Sequence, residues 1–302
     1  MDFSRTVASG NLERQTRLQI ALNTLSLFKV FSGKGKTMSG ASNVTQLISS
    51  SNGSKTHCST CSLSSLCLPI ALDKNDLDAL DSVIKRGRPI QKGEFLFNQG
   101  DPFNAIFAIR TGAIKTYTTA ASGEEQITGF NLASELVGLS GYSQDVFPLS
   151  AKALETTTVC QLPIDQLETL CNQLPGLRKQ IMSNMGCEIR KDQQMMMQLS
   201  KKNADERLAY FLLELSSRYQ RRGFSPKSFR LPMSRIDIGN YLGLAVETVS
   251  RIFTRLQTQQ LIENEGKQVS LIDIKGLSLL AGVEPSESES GTKSVDNTAN
   301  LK

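Results

Sequence analysis

The sequence predicts an α+β fold in which an antiparallel β-sandwich or roll is followed by a long helix and a helix-turn-helix. Between residues 88 and 163, short β-prone runs alternate with glycines, which is typical of antiparallel sheets. After Pro175, apolar residues recur at spacings of three and four, which indicates a helix. Between residues 234 and 256, two short apolar patterns meet at Gly243, a residue type that readily adopts the left-handed conformation at a helix end.

Length and composition limit the class of protein. A chain of 302 residues with 39% hydrophobic residues is long enough for two packed domains. Residues 1–56 and 283–302 are poor in apolar side chains, so we expect a disordered N-terminal extension and a disordered tail. The sequence shows neither a signal-peptide pattern nor a run of about 18 apolar residues. We therefore expect a cytoplasmic protein that does not engage a membrane.

Three of the six cysteines lie within ten residues, as Cys58-x2-Cys61-x5-Cys67. In a reducing compartment, such clustering favours a metal or redox site over disulfides. Cys160 is the expected remote fourth ligand, whereas Cys171 and Cys187 are expected to be ordinary thiols on helices. Thiolates select zinc or iron–sulfur clusters over hard cations, so the residues alone leave both kinds of centre open.

An enzyme is not expected. The chain has a single histidine and no phosphate-binding glycine loop, which argues against hydrolase and nucleotide-dependent chemistry. A redox-active CxxC enzyme would need a thioredoxin-like βαβ setting, and the sequence after Cys61 lacks one.

The long helix carries a heptad pattern with spacings of 3, 4, 3, 4 and 3. We call its members the heptad seam; they are Met182, Met185, Ile189, Asp192, Met196 and Leu199. This spacing predicts a dimerisation helix over residues 173–202, and the alternative is an amphipathic helix packed on its own domain. Asp192 is the one carboxylate in the seam, so two like charges would meet in a symmetric pair.

The second helix of the helix-turn-helix is expected to begin at Val246 and to end near Gln257. Glu247, Ser250 and Arg251 then share one face near its N-terminal end, where such helices contact bases in the major groove. We expect these three residues and Val246 to contact the DNA. Arg can donate two hydrogen bonds to guanine, and Glu can accept one from cytosine. These residues predict double-stranded DNA as a partner; the alternative is a solvated charged face.

Charge and local motifs around these helices agree with a DNA-binding domain over residues 203–282. Residues 201–280 carry 13 Lys and Arg against 8 Asp and Glu, an excess that equals the net charge of +5 of the whole chain, and such a segment attracts a polyanion. Asn203 and Glu206 form a capping-box pattern, which predicts a helix start. A hairpin with its turn at Glu265-Gly266 is expected to close the domain.

Several segments together resemble the Crp/Fnr family, in particular its oxygen-sensing members. The resemblance spans residues 57–282 and is carried by HCSTCSLSSLC, RPIQKGEFLFNQGD, ITGFNLASELVG, ALETTTVC, LSKKNADERLA, RGFSPKSFRL and DIGNYLGLAVETVSR. It implies a cyclic-nucleotide-binding-like β-roll sensor domain over residues 57–172. A dimerisation helix over 173–202 and a winged helix-turn-helix over 203–282 follow from the same resemblance.

The resemblance also implies a function. In the family, four cysteines matching Cys58, Cys61, Cys67 and Cys160 ligate a [4Fe-4S] cluster, and its oxygen-driven conversion to [2Fe-2S] dissociates the active dimer. The chain would then be a transcription regulator and activator of anaerobic-metabolism genes that is a homodimer when it carries the cluster. The family's base-reading trio matches Glu247, Ser250 and Arg251, and the implied target is a palindrome of TTGAT and ATCAA half-sites.

The resemblance also implies contacts with RNA polymerase, and the sequence departs from the family at two places. The polymerase contacts align with Thr111, Ser122, Gly123, Glu124, Thr156 and Arg222. Residues 148–150 contain no cation where cyclic-nucleotide-binding relatives present an Arg-Ser pair to the ligand phosphate, so cyclic AMP is not an expected ligand. Ala245 stands where relatives usually carry Ser or Thr, which removes a helix cap worth about 1 kcal/mol.

Overall fold

A computed structural model of the protein describes residues 57–283. The predicted N-terminal extension, residues 1–56, and all but the first residue of the predicted tail lie outside the described residues. Seven helices, α1 to α7, span Lys74–Val83, Ile164–Gln173, Pro175–Lys201, Ala204–Arg221, Arg235–Leu242, Val246–Thr258 and Ile274–Leu280 within this region. Eleven strands, β1 to β11, span Lys85–Arg86, Phe95–Phe97, Ala105–Thr111, Ala113–Thr119, Glu125–Leu132, Leu136–Val137, Ser150–Ala153, Thr158–Pro163, Ser228–Arg230, Ile262–Glu265 and Gln268–Leu271 in the same region.

The first eight strands form a roll of two antiparallel sheets, which have the strand orders β1-β8-β3-β6 and β2-β7-β4-β5. Apolar side chains of the strands and their loops fill the roll; they include the fully buried Phe97, Ile114 and Phe147. The rings of Phe97 and Phe147 stack with centroids 3.8 Å apart. The predicted antiparallel sandwich or roll is therefore confirmed, and β5 forms one edge of the second sheet.

Helix α3 begins at Pro175, where the missing N–H of proline costs no helical hydrogen bond. Its N-terminal turns bury Leu177 and Ile181 in a core that also contains Leu162 of β8 and Leu167 of α2. The rest of the helix extends beyond this core. The helix spans Pro175–Lys201, inside the range of 173–202 predicted for it.

The C-terminal domain packs α4 to α7 on a three-stranded sheet of order β10-β11-β9. Asn203 accepts a hydrogen bond from the Glu206 N–H, and Glu206 accepts one in return, so the predicted capping box at the start of α4 is present. The β10–β11 hairpin pairs Glu265 with Gln268, which makes Gly266-Lys267 the two-residue loop. The predicted turn at Glu265-Gly266 was thus one residue too early, because Gly266, with a φ of +60°, takes the first loop position, where glycine is favoured.

The mixed α+β class, the roll, the long helix and the winged helix-turn-helix are all as predicted. Within residues 57–283, the structure has no helix of the length and hydropathy that crossing a bilayer requires.

Candidate functional site

The four cysteines of the predicted ligand set line one cavity. Cys58 begins a short 3-10 turn, Cys58–Thr60, and Cys67 caps another, Leu68–Ala71. Cys61 lies between these turns and donates its N–H to the Cys58 carbonyl. Cys160 lies on β8, where it pairs with Arg86 of β1 on one side and with β3 on the other. The loop and the sheet thus bring together thiols that are distant in sequence.

The cavity is otherwise lined mainly by apolar side chains, including Leu68, Leu80 and Leu162. Burial raises the pKa of the Cys58 thiol to about 12 and that of Cys67 to about 11. Burial also raises the pKa of Cys160. The positive charge of Arg86 lowers this pKa, and a negative charge on Cys61 raises it. A cationic centre would supply the positive charge that four neighbouring thiolates need, and binding it would release their protons.

Asp81 of α1 and Arg86 of β1 support the Cys58 end of the loop. The Asp81 carboxylate accepts a hydrogen bond from the Cys58 N–H at 2.8 Å and forms an ion pair with Arg86. The Arg86 Nη2 lies 3.8 Å from the Cys58 Sγ, and the Arg86 Nε is buried without a hydrogen-bond partner in the described region. A guanidinium with an unused donor beside a thiol suits an anionic, sulfur-rich group. Neither Asp81 nor Arg86 was singled out from the sequence.

His57 is a neighbour of the cysteine loop. Its Nδ1 lies 2.8 Å from the Ser59 hydroxyl, and its Nε2 lies 3.4 Å from an Asp81 oxygen. Cys171 on α2 and Cys187 on α3 do not line the cavity.

These residues fit a metal centre by the type of their donor atoms, not by a preformed coordination geometry. In the described part of the chain, no group of three or more His, Cys, Asp or Glu side chains is arranged to hold a single metal ion. The four thiols share one cavity with apolar walls and a nearby guanidinium. Soft thiolates in a shielded site are the donors that zinc and iron–sulfur clusters prefer, so the residues present fit either centre.

The helix-turn-helix consists of α5 and α6. Helix α5 ends at Leu242 and is capped by Gly243, which adopts the left-handed conformation with a φ of +65°, and α6 begins at Val246. At Gly239, a Cβ atom would lie 2.6 Å from the Leu244 carbonyl oxygen, so only glycine allows this close approach. Ala245 occupies the N-cap of α6 and makes no side-chain capping hydrogen bond, as its sequence position predicts.

The predicted reading face of α6 is exposed. Glu247, Ser250 and Arg251 are all exposed, and Val246 is half-buried. The opposite face of α6 is buried in the domain core and contains Val249, Ile252, Phe253 and Leu256. A helix with one buried apolar face and an exposed polar N-terminal face has the arrangement that enters a major groove.

Comparison with known proteins agrees with the fold of both domains. Residues 88–174 match the family model described as a cyclic nucleotide-binding domain, and residues 206–280 match the Crp-like helix-turn-helix domain. Over 226 residues, the chain is 60% identical to the transcriptional activator protein anr of Pseudomonas aeruginosa, covering 75% of this chain and 93% of that protein. This chain belongs to the Crp/Fnr family. It is also 50% identical over 233 residues to the fumarate and nitrate reduction regulatory protein of Vibrio cholerae, covering 77% and 93% of the two chains.

A solved structure supports the same assignment of fold. FixK2 from Bradyrhizobium japonicum superposes with a TM-score of 0.62 at 30% identity, covering 67% of this chain and all of that one. The relatives are named as transcriptional activators and regulators, which confirms that this Crp/Fnr protein is a regulator and not an enzyme. Its helix-turn-helix implies DNA binding and the dimeric architecture of the family.

In this Crp/Fnr regulator, most of the heptad seam is exposed in the single chain. The exposed fractions are 67% for Met182, 58% for Ile189, 70% for Met196 and 40% for Leu199. Met185 instead packs partly against the core beside the roll, and Asp192 is exposed. A helix packed wholly on its own domain would bury its apolar side chains, whereas the four with the exposed fractions given above remain accessible in the single chain.

The residues aligned with polymerase contacts fall into two groups. The exposed group contains Thr111, Ser122, Gly123, Glu124 and Thr156. Arg222 differs, because its side chain is 5% exposed and its guanidinium donates to the Glu135 carboxylate at 2.7 Å. Contact with another protein through this guanidinium would require the ion pair to open.

Proposed function

We propose that this Crp/Fnr regulator senses oxygen through a [4Fe-4S] cluster held by Cys58, Cys61, Cys67 and Cys160. The observation that carries the proposal is the shared cavity of the four thiols. Relatives support it, since a protein 50% identical over 232 residues is named the anaerobic regulatory protein of Haemophilus influenzae. When bound, the cluster supplies an iron centre that reacts with oxygen.

The chain's own residues connect the cysteine loop to the dimerisation helix. Leu68, directly after Cys67, belongs to the same buried core as Leu162 of β8 and Ile181 of α3. Because close-packed cores resist continuous deformation, a rearrangement of the loop would repack this core and shift the start of α3. The heptad seam lies further along the same helix, so dimerisation would depend on the conformation of the loop.

The dimer would present two reading faces to DNA. Two copies of α6 related by a two-fold axis suit a palindrome, and we infer TTGAT and ATCAA half-sites. In each half-site, Arg251 would donate two hydrogen bonds to a guanine and Glu247 would accept one from a cytosine. In the structure, the Ser250 hydroxyl donates to the Val246 carbonyl at 2.9 Å, and it would turn towards the DNA on binding.

The proposal also covers contacts with RNA polymerase and the absence of a cyclic AMP ligand. The exposed residues Thr111, Ser122, Gly123, Glu124 and Thr156 would face RNA polymerase. Cyclic AMP is not an expected ligand, because residues 148–150 offer no cation to a phosphate.

Iron and acid-labile sulfide analysis of anaerobically purified protein, together with absorption spectroscopy, tests the proposal. We expect brown protein with iron and sulfide in the proportions of one [4Fe-4S] cluster per chain. Colourless protein with one zinc ion per chain would contradict it and would indicate a centre that only stabilises the loop.

A further inference from the structure

A side chain of the helix-turn-helix covers part of the edge strand of the roll's second sheet. Strand β5 ends the sheet order β2-β7-β4-β5, and an edge strand carries backbone groups without a neighbouring strand. The Asn240 Oδ1 of α5 accepts from the Ile127 N–H at 2.6 Å, and its Nδ2 donates to the Glu125 carbonyl at 2.7 Å. The amide thus hydrogen-bonds with β5 as the backbone of a next strand would.

Other contacts reinforce this one, and we call the whole set the edge contact. The Gln126 Nε2 donates to the Asn240 carbonyl at 2.9 Å. The Lys115 Nζ lies 2.8 Å from the Asp237 Oδ1, and the two side chains are only 16% and 15% exposed. Asp237 also accepts from the Ser234 N–H in the capping box of α5, so one carboxylate both begins the helix and joins it to the roll.

Aromatic packing extends the edge contact into the core. The Phe130 ring of β5 lies 5.1 Å from the Tyr241 ring in an edge-to-face arrangement. Tyr241 in turn lies 5.9 Å from the Phe211 ring of α4. Since Tyr241 follows Asn240 directly, consecutive residues of α5 make the polar and the apolar parts of the contact.

Fixing α5 also fixes the recognition helix. The turn between α5 and α6 is three residues long, and Gly239 of α5 lies against the Leu244 backbone and the Val249 side chain of the α6 segment. The reading face, represented by Arg251, remains exposed while the contact is made. The contact therefore orients the helix without covering it.

We propose that Asn240, assisted by Asp237, is a positioning residue that presets the recognition helix against the sensor roll. The inference rests on the proposed DNA binding of the dimer. Two half-sites on one duplex have a fixed separation, so a preset helix orientation lowers the entropy cost of engaging both. A residue that touches no DNA would then contribute to affinity for the palindrome.

Amide hydrogen exchange on the full-length protein tests the contact directly. In Asn240→Ala, the Ile127 amide loses its acceptor and should exchange about tenfold faster. Thr128→Ala is the matched control, since the Thr128 hydroxyl donates to Thr116 on the neighbouring strand of the roll, at 3.2 Å, and the Ile127 exchange rate should stay at that of the wild type. Unchanged Ile127 exchange in Asn240→Ala would overturn the edge contact.

DNA affinity tests the positioning role. Asn240→Ala should bind a duplex with TTGAT and ATCAA half-sites about tenfold more weakly, with an unchanged salt slope because no phosphate contact is removed. Lys115→Met changes only the roll but removes the ion pair with Asp237, so it should also weaken binding. If Ile127 exchanges faster in Asn240→Ala but both Asn240→Ala and Lys115→Met bind the duplex as tightly as the wild type, the positioning role is wrong. Failure of the wild type to bind the palindrome would instead contradict the proposed function, and the exchange result would still test the contact.

Discussion

Replacing Asp192 by Ala should produce a protein that dimerises and binds its DNA in air. Asp192 lies in the heptad seam between Ile189 and Met196, which are 58% and 70% exposed in the single chain. Partial desolvation on the helix surface raises the pKa of the exposed Asp192 carboxyl, and the neighbouring Lys191 opposes this shift. A symmetric pair of seams would bring two such carboxylates together, so removing them should favour the dimer.

The exposed fractions of the seam residues set the scale of the attraction, which is opposed by the repulsion between the two carboxylates. Four apolar seam residues are 40%, 58%, 67% and 70% exposed, and burying such a fraction contributes about 1 kcal/mol each. Eight of these side chains in a dimer give on the order of 8 kcal/mol, which lies within the range of about 4 to 15 kcal/mol that association costs. Two carboxylates about 4 Å apart repel by up to about 4 kcal/mol at an effective dielectric of 20, and solvent screening lowers this to a few kcal/mol. Because the balance is close, the repulsion decides it, and Asp192→Ala should strengthen dimerisation about a hundredfold.

Sedimentation velocity of aerobic protein, with a parallel DNA-binding assay, measures this effect. Gln193→Ala is a matched control, because Gln193 is exposed on the same helix but lies outside the seam, and it should behave as the wild type. If Asp192→Ala stays monomeric at concentrations where the anaerobic wild type is dimeric, the repulsion argument is wrong.

Three further predictions concern the cysteines, base reading and acid stability. Cys160→Ala should lose the cluster whereas Cys187→Ala should keep it, as iron and sulfide analysis would show; full iron content in Cys160→Ala would remove this residue from the ligand set. Arg251→Ala should weaken binding to the palindrome by roughly 1 to 3 kcal/mol and relax the preference at one base pair of each half-site, and equal losses on palindromic and random DNA would contradict a base contact. Burial alone would raise the pKa of Glu135, but the positive charge of Arg218 outweighs it and helps to lower the pKa to about 2. The ion pair therefore stabilises the fold above the ordinary carboxyl pKa, and the stabilisation is lost as the pH falls towards 2. Glu135→Gln should cost on the order of 3 kcal/mol at neutral pH and flatten the acid limb of a pH series of chemical denaturation; an unchanged limb would refute the assignment.

Features encoded by adjacent residues were predictable from the sequence. The left-handed Gly243 and the capping box at Asn203 each depend on a few neighbouring positions, and both are present. The hairpin turn at Gly266 was predicted one residue too early, since a Gly in a short loop does not by itself fix the strand register.

Contacts between distant residues were not predictable from spacing. Arg86 reaches Cys58 across 28 positions, and Asn240 reaches Ile127 across 113. Neither pair has a periodic or motif signature, because β1 and β5 acquire these neighbours only when the sheets and helices pack. Arg222 is a further case, since its charge suggests a surface contact while the fold buries it against Glu135. Cys160 was expected beside the loop, and its place on β8 opposite Arg86 shows how the sheet brings it there.

Stepwise addition of oxygen to one anaerobic sample tests whether loss of the cluster causes loss of dimerisation and DNA binding. Visible absorption, the dimer fraction from sedimentation and binding to the palindromic duplex are measured at each step. We expect all three to decline together as the cluster held by Cys58, Cys61, Cys67 and Cys160 is lost. Dimerisation and DNA binding that persist after the absorption has disappeared would contradict it.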